Sequence, residues 1–294
     1  MVGIEIDSRG GSETAASVRW GFVGLGEMGY PMATRLLSEG FPLTVFDVDR
    51  ERLRSLAAKG AIAARDLRDL GSRSRVVSIC VRDTGQVQTV LTGGVLDALG
   101  EGGIVLLHST VGRADCRRIS ELAQSKGVDL LDAPISGMRM AAEQGTLTFF
   151  VGGSAEALER VRQGLSVMGK TILHVGDVGA GQVIKVLNNL AAFVCAGVVD
   201  EALSMATAAG VAEASFLEAL GSGSGRSWAL ENWEFLSQGW VESHPAGSAG
   251  VRQIIEKDLG LSLELGCELS KPVVFGSIAA RLVPNRLSGL DKGM

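Results

Sequence analysis

Aromatic residues, histidine, proline and cysteine are all scarce in this 294-residue chain. It has one tyrosine, six prolines, three histidines and four cysteines, and aromatics make up 5 % of it. His108, His174 and His244 form no HxxxH-type ligand pair. Cys80, Cys116, Cys195 and Cys267 lie far apart with no CxxC, so no metal site is expected and the thiols are read as reduced and buried. Charge of one sign is also lacking: 28 Lys+Arg against 33 Asp+Glu give a net charge of −5. Such mild acidity with scattered charges argues against a nucleic-acid partner. The longest apolar run, Leu190 to Val199, is too short to span a bilayer and closes on Asp200-Glu201. The opening MVGIEIDSRGGSETAAS carries early acids and no apolar h-region, so it is not read as a signal peptide. Residues 1–17 are expected to form a mobile tail, and the protein is expected to be cytoplasmic with no membrane partner.

Glycine is the excess, 40 residues, roughly twice the usual share. With no Gly-X-Y repeat, it points to tight turns and close backbone approaches. Short apolar runs at Val18–Val23, Pro42–Phe46, Val76–Val81, Ile104–Leu107, Val128–Leu131, Leu147–Val151 and Ile172–Val175 read as strands. Helical stretches at Met28–Ser38 and Arg50–Lys59 alternate with them. The fold class implied is α/β: a doubly wound, mostly parallel sheet of Rossmann type over residues 18–180. Past Gly181 the pattern turns helical. Val183–Ala209 is apolar almost all round, so a helix there is expected to be buried on most sides. Residues 181–294 thus read as an all-helical domain joined through that long helix.

The strongest motif is Gly24-Leu25-Gly26-Glu27-Met28-Gly29, between a strand and a helix. Alone, GxGxxG is weak; its strand-turn-helix setting strengthens it. The glycines permit a tight turn, approach of a pyrophosphate and helix-on-strand packing, and the helix start offers free N–H groups to phosphates. Asp47 ends the second strand 21 residues after Gly26, where a carboxylate accepts from ribose hydroxyls and repels a 2′-phosphate. NAD is therefore the preferred cofactor, with Arg50 and Arg52 keeping NADP open.

Two further motifs carry chemistry. Lys185 and Asn189, four apart on the long helix, share one face. Desolvation would bring such a lysine toward neutral acid–base work; the plain alternative is a lysine reaching solvent near the helix start. Asp132-Ala133-Pro134-Ile135-Ser136-Gly137 places a hydroxyl and a backbone N–H where a carboxylate can bind, against the alternative of an ordinary strand-to-turn junction.

With these motifs in order, the chain resembles the β-hydroxyacid dehydrogenase family, over about residues 18–280. The resemblance rests on GFVGLGEMGYPMATRLL, on DAPISG followed by GTLTFFVGG, on GAGQVIKVLNN, and on Lys257-Asp258-Leu259. It implies hydride transfer between nicotinamide and a small anionic β-hydroxy acid. Lys185 is then the catalytic acid/base and Asn189 its orienting partner. Ser136 and Gly137 would hold the substrate carboxylate, with Ser109-Thr110 near nicotinamide and substrate. Val81 and Arg82 would lie on a cofactor-lining loop, and Lys257 would reach the site from the helical domain. A homodimer or homotetramer is implied as well. One departure is plain: the family commonly has a second glycine after Gly137, and this chain has Met138-Arg139. Arg139 offers a cation for a second anionic group of the substrate, or is a solvated loop arginine. Rival readings are an imine reductase, which usually replaces the lysine, and a non-catalytic NAD(H) sensor. A 6-phosphogluconate dehydrogenase would be much longer.

Overall fold

A computed structural model describes residues 18–289; the tail expected over residues 1–17 lies outside them. The seven apolar runs become strands, and two short ones, Ile62–Ala63 and Ile135–Ser136, join them, making nine among the described residues: β1 (Trp20–Val23), β2 (Leu43–Phe46), β3 (Ile62–Ala63), β4 (Val76–Ile79), β5 (Ile104–Leu107), β6 (Asp129–Asp132), β7 (Ile135–Ser136), β8 (Thr148–Gly152) and β9 (Thr171–Gly176). Their order is β3-β2-β1-β4-β5-β6-β8-β7, with β9 also paired to β8. From β3 to β6 every pair is parallel; β8 then runs antiparallel to β6 and to β7, and β9 is parallel to β8. β1, β4 and β5 are buried at every position, as strands covered by helices on both faces must be. The strand order reverses at β1 and β4, so the loop leaving β1 sits at the sheet's switch point, where such folds bind ligands.

Helices α1 (Gly29–Ser38), α2 (Arg50–Ala58), α3 (Leu67–Arg73), α4 (Thr84–Val90), α5 (Leu96–Leu99), α6 (Arg113–Gln124), α7 (Met138–Gln144) and α8 (Ala155–Met168) connect the strands. Asp49 caps α2 and Ser154 caps α8, each accepting from backbone N–H groups of the first turn. Trp20, Phe22, Met32, Leu36, Leu56 and Phe149 are fully buried in the core of this unit.

A polar chain crosses that core. Trp20 Nε1 donates to Ser78 Oγ at 3.0 Å, Ser78 Oγ lies 3.0 Å from His108 Nε2, and His108 Nδ1 lies 2.8 Å from the Ala133 carbonyl. A carbonyl only accepts, so Nδ1 carries the proton and Nε2 accepts from the serine. Every group is satisfied only with neutral imidazole, and burial lowers the His108 pKa to about 4. An unfolded histidine titrates near 6.5. Between pH 6.5 and 4 the unfolded chain therefore binds more protons. Stability is full above this window and falls as pH drops through it, by about 3 kcal/mol. Urea unfolding at pH 7 and pH 4.5 checks this; His108→Gln is expected to remove the histidine's share of the loss. Equal pH sensitivity in both proteins would contradict it.

The helical part comprises α9 (Ala180–Ala208), α10 (Glu213–Ser222), α11 (Trp228–Glu231), α12 (Trp240–Ser243), α13 (Gly247–Glu268) and α14 (Val274–Leu287). The chain divides into two units: residues to Ser109 plus Ala114–Gly181, and Thr110–Arg113 plus the residues from Gln182 onward. Two expectations are corrected here. In its most apolar stretch α9 is only 33 % buried, not covered on most sides; Ile184, Leu187, Val198 and Met205 are exposed. Its covered face meets α14, where Leu190 approaches Gly276 and Gly197 approaches Val283. By length and composition α9 also meets the requirement for crossing a membrane, which the shorter run Leu190–Val199 does not. The cysteines are free, but only Cys116 is buried; Cys80 and Cys195 are half-buried and Cys267 is exposed.

Candidate active site

The nucleotide loop is built by sterics. A Cβ on Gly24 would lie 2.2 Å from the Cys80 carbonyl oxygen, and one on Gly29 would lie 1.8 Å from the Gly24 carbonyl oxygen. At Gly26 the nearest atom would be Arg52 Nη1, 3.7 Å away. Gly24 and Gly29 are thus packed against protein, while Gly26 leaves open the side on which a pyrophosphate passes. Met28 provides no side-chain cap to α1; the Tyr30 N–H donates to the Gly26 carbonyl at 3.0 Å and Pro31 has no N–H, so the helix start offers an anion the amides that precede Tyr30. Leu25, Glu27 and Met28 complete the loop; Leu25 is buried and the other two are half-buried. One Asp47 oxygen accepts from the Leu25 N–H and the other from the Asp49 N–H at 2.7 Å. The carboxylate is thereby fixed beside the loop, with lone pairs left for ribose hydroxyls. Arg52 sits against the same loop, 3.4 Å from the Leu25 carbonyl, and is paired with Asp49 at 3.2 Å. These residues fit an adenine dinucleotide.

Ser109 Oγ accepts from the Val81 N–H at 2.9 Å, tying the ends of β4 and β5 together; Arg82 beside it is exposed. Ser136 ends β7, half-buried, and Gly137 is exposed at φ 128°. Met138 follows at φ 62°, in the left-handed region that a glycine enters freely. The backbone keeps a glycine's conformation while bearing a methionine, at a cost of about 1–2 kcal/mol. Arg139 is exposed and bonds Glu143 through Nε at 2.8 Å; that contact, with the field of Glu27, holds its pKa up. It is therefore a paired surface cation.

Below these motifs Asp132 is fully buried at the end of β6. Its Oδ1 accepts from the Gly179 N–H at 2.7 Å, just before α9.

In the helical unit the expected asparagine meets a carboxylate, whose charge also acts on the expected lysine. Lys185 is half-buried on α9, and Asn189 is buried one turn later. Asn189 Nδ2 donates to Asp258 Oδ2 at 2.6 Å. Asp258, 4 % exposed on α13, also lies 3.0 Å from Lys257 Nζ through Oδ1. Lys257 Nζ donates to the Thr110 carbonyl at 3.1 Å, and Gln182 Oε1 accepts from the Val111 N–H at 3.0 Å. Residues 110–113 are thus held by side chains of α9 and α13, and Arg113 adds an ion pair with Glu268. Desolvation lowers the Lys185 pKa to about 8; Asp258 opposes this and Lys257 adds to it. That value suits proton transfer near neutral pH.

Sequence reasoning missed Asp258 and Gln182 as contributors. An acid beside a lysine on a helix looks like a solvated pair, and only burial marks Asp258 as different. Of the tryptophans, Trp233 and Trp240 are buried, the latter stacked on Phe193 with centroids 6.3 Å apart, while Trp228 is exposed. Among the described residues there is no group of three or more His, Cys, Asp or Glu suited to a metal.

Residues 19–176 match the family model of the NAD binding domain of 6-phosphogluconate dehydrogenase. Residues 179–293 match that of the NAD-binding domain of NADP-dependent 3-hydroxyisobutyrate dehydrogenase. The fold and the site together define an NAD(P)-dependent oxidoreductase, and the chain belongs to the β-hydroxyacid dehydrogenase family. It is 35 % identical to 2-(hydroxymethyl)glutarate dehydrogenase of Eubacterium barkeri, over 94 % of this chain and 92 % of that one. It is 38 % identical to NAD-dependent L-serine dehydrogenase of Pseudomonas aeruginosa, over 89 % of each. The solved structure of Mycobacterium tuberculosis 3-hydroxyisobutyrate dehydrogenase with L-serine superposes with a TM-score of 0.80 at 30 % identity, covering 90 % of this chain and 91 % of that one. Imine reductases, such as that of Streptomyces aurantiacus at 18 % identity and TM-score 0.64 (90 % and 92 % covered), share the fold alone.

Proposed function

We propose that the chain oxidises a 2-substituted 3-hydroxypropanoate to its semialdehyde, and reduces the semialdehyde in reverse. The desolvated Lys185, one turn from a fixed Asn189, is the observation that carries this reading. Relatives named for 2-(hydroxymethyl)glutarate, L-serine and 3-hydroxyisobutyrate all act on a primary alcohol β to a carboxylate and differ in the substituent on C2. The nicotinamide cofactor supplies the hydride acceptor or donor. Gly24–Gly29 and the start of α1 would hold its pyrophosphate and Asp47 its adenosine ribose; Val81 and Arg82, and in the helical unit Thr110 and Lys257, are the residues assigned to its nicotinamide. Ser136 and the Gly137 N–H bind the substrate carboxylate. Lys185 takes the hydroxyl proton during oxidation and returns it during reduction, with Asn189 orienting the hydroxyl. The paired state of Arg139 supports the solvated-arginine reading over that of a second-anion site.

Asp47 favours NAD, since its fixed carboxylate repels a 2′-phosphate. The test is cofactor reduction followed by absorbance, with NAD and NADP in turn, over L-serine, 3-hydroxyisobutyrate and 2-(hydroxymethyl)glutarate. Turnover with NAD on any of them supports the reading. Silence on all three with cofactor binding intact overturns it in favour of a sensor.

We also infer a homo-oligomer. Val274, Phe275, Ile278 and Leu282 form an exposed apolar stripe on α14, and Val198 and Met205 are exposed on α9. A second copy covering these helices buries them. Light scattering is expected to give at least twice the chain mass, and a monomer at micromolar concentration would refute it. The same reading makes α9 an interface helix of a cytoplasmic enzyme and not a membrane span, since Lys185, Asp200 and Glu201 lie within it.

A further inference from the structure

We propose that Asp258 is a positioning residue: it fixes the Asn189 amide and balances the charge of Lys185 and Lys257 within the helical unit. The inference rests on the assignment of Lys185 given above and deepens it. Three observations carry it. Asp258 is 4 % exposed, deep enough that an uncompensated carboxylate would be strongly destabilising. Its Oδ2 accepts from Asn189 at 2.6 Å. Because a carboxylate cannot donate, this bond decides which end of the asparagine amide is which. The Asn189 carbonyl oxygen is thereby turned away from Asp258, and it accepts from Asn188 Nδ2 at 3.2 Å.

The third observation concerns Oδ1. It lies 3.0 Å from Lys257 Nζ but off a hydrogen-bond direction, and it has no directed partner among the described residues. The ammonium of Lys257 instead directs a bond at the Thr110 carbonyl. Asp258 therefore meets Lys257 as a charge and keeps accepting capacity beside the lysine pair. Among the described residues, Asp258 and Lys257 are the charges that act on Lys185. Asp200, further along α9, is paired with Arg286 of α14, and Arg113 is paired with Glu268. The two charges that act on Lys185 have opposite signs, Asp258 stabilising its protonated form and Lys257 opposing it.

Opposite signs make the test specific. Lys185 is labelled with acetic anhydride across a pH series in the absence of substrate, and its modification is read by mass spectrometry. Asp258→Asn keeps the shape and removes the charge; it is expected to move the Lys185 midpoint down by about one unit. Lys257→Met is expected to move it up. The pH profile of kcat/KM for oxidation, measured with L-serine and 3-hydroxyisobutyrate, should shift the same way for each variant. Conservative Asp258→Glu is expected to restore part of the shift. Midpoints unchanged in both variants, or moved in the same direction, overturn the proposal. If Asp258→Asn fails to fold, the Lys257→Met arm decides alone, an unmoved midpoint refuting it. If Lys185→Met proves active while the midpoints shift as expected, the catalytic reading falls and the charge balance stands. An inactive Lys185→Met with unmoved midpoints sinks only the balance.

Discussion

Lys185→Met is expected to lower kcat for β-hydroxy acid oxidation by about 10²–10⁴-fold, the range for loss of one positioned acid–base group. Binding of NAD, followed by quenching of protein fluorescence, should change little, since Lys185 is assigned to the substrate hydroxyl. The pH dependence gives the stricter test. Oxidation needs the neutral amine, so its rate rises with pH through about 8 and then levels, following the lowered lysine. Reduction needs the ammonium, so its rate is flat at low pH and falls above the same value. The methionine variant is expected to lose both limbs. Near-normal turnover, or an inflection near pH 8 that survives the substitution, would remove Lys185 from the chemistry.

Gly29→Ala tests the nucleotide loop. The new Cβ would stand 1.8 Å from the Gly24 carbonyl oxygen, which is backbone and cannot swing aside. The first turn of α1 must then shift, moving the donors that face the pyrophosphate. NAD affinity is expected to fall by about 100-fold or more, equivalent to about 2.7 kcal/mol. Unfolding free energy should drop by about 1–3 kcal/mol, as for other overpacked sites. Gly26→Ala is the informative contrast. Its Cβ meets nothing closer than Arg52 Nη1 at 3.7 Å, so stability should hold while cofactor affinity still declines. Equal stability losses in the two variants would mean that the loop's glycines serve packing alone.

The strands β1, β2, β4 and β5 were legible because continuous apolar runs bounded by turns leave few alternatives. The direction of β8 was not: an apolar run reports burial, and says nothing of whether a strand runs with or against its neighbour. β3 and β7, two residues each, carry no periodicity at all. The first motif announced its loop because Gly24 and Gly29 are steric necessities there, while Gly26 keeps a side of the loop open. Asp258 was visible within Lys257-Asp258-Leu259, but its role was not, because its partner Asn189 is 69 residues away and its immediate neighbours look like any solvated helix surface. Met138 was visible as a departure from glycine. That the backbone would nonetheless hold a glycine's φ could not be read from the residue type. The apolar surround of α9 was read correctly as hydrophobicity but wrongly as burial, since a lone chain has too few helices to cover all its faces.

The chain passes from one unit to the other three times, at residues 109–110, 113–114 and 181–182. A cut after Gly181 would therefore not release a self-contained nucleotide-binding fragment. It would strip residues 110–113 of Gln182, Lys257 and Glu268, leaving the Val111 amide without its acceptor. A fragment beginning at Gln182 would in turn lack the carbonyl that seats Lys257. The switch in sequence character near residue 181 marks a change of architecture and not a seam. Each half completes its hydrogen bonding with a piece of chain that the other half's sequence span supplies, so recombination of this gene with a relative's at that point would have to carry residues 110–113 along with the helices that hold them.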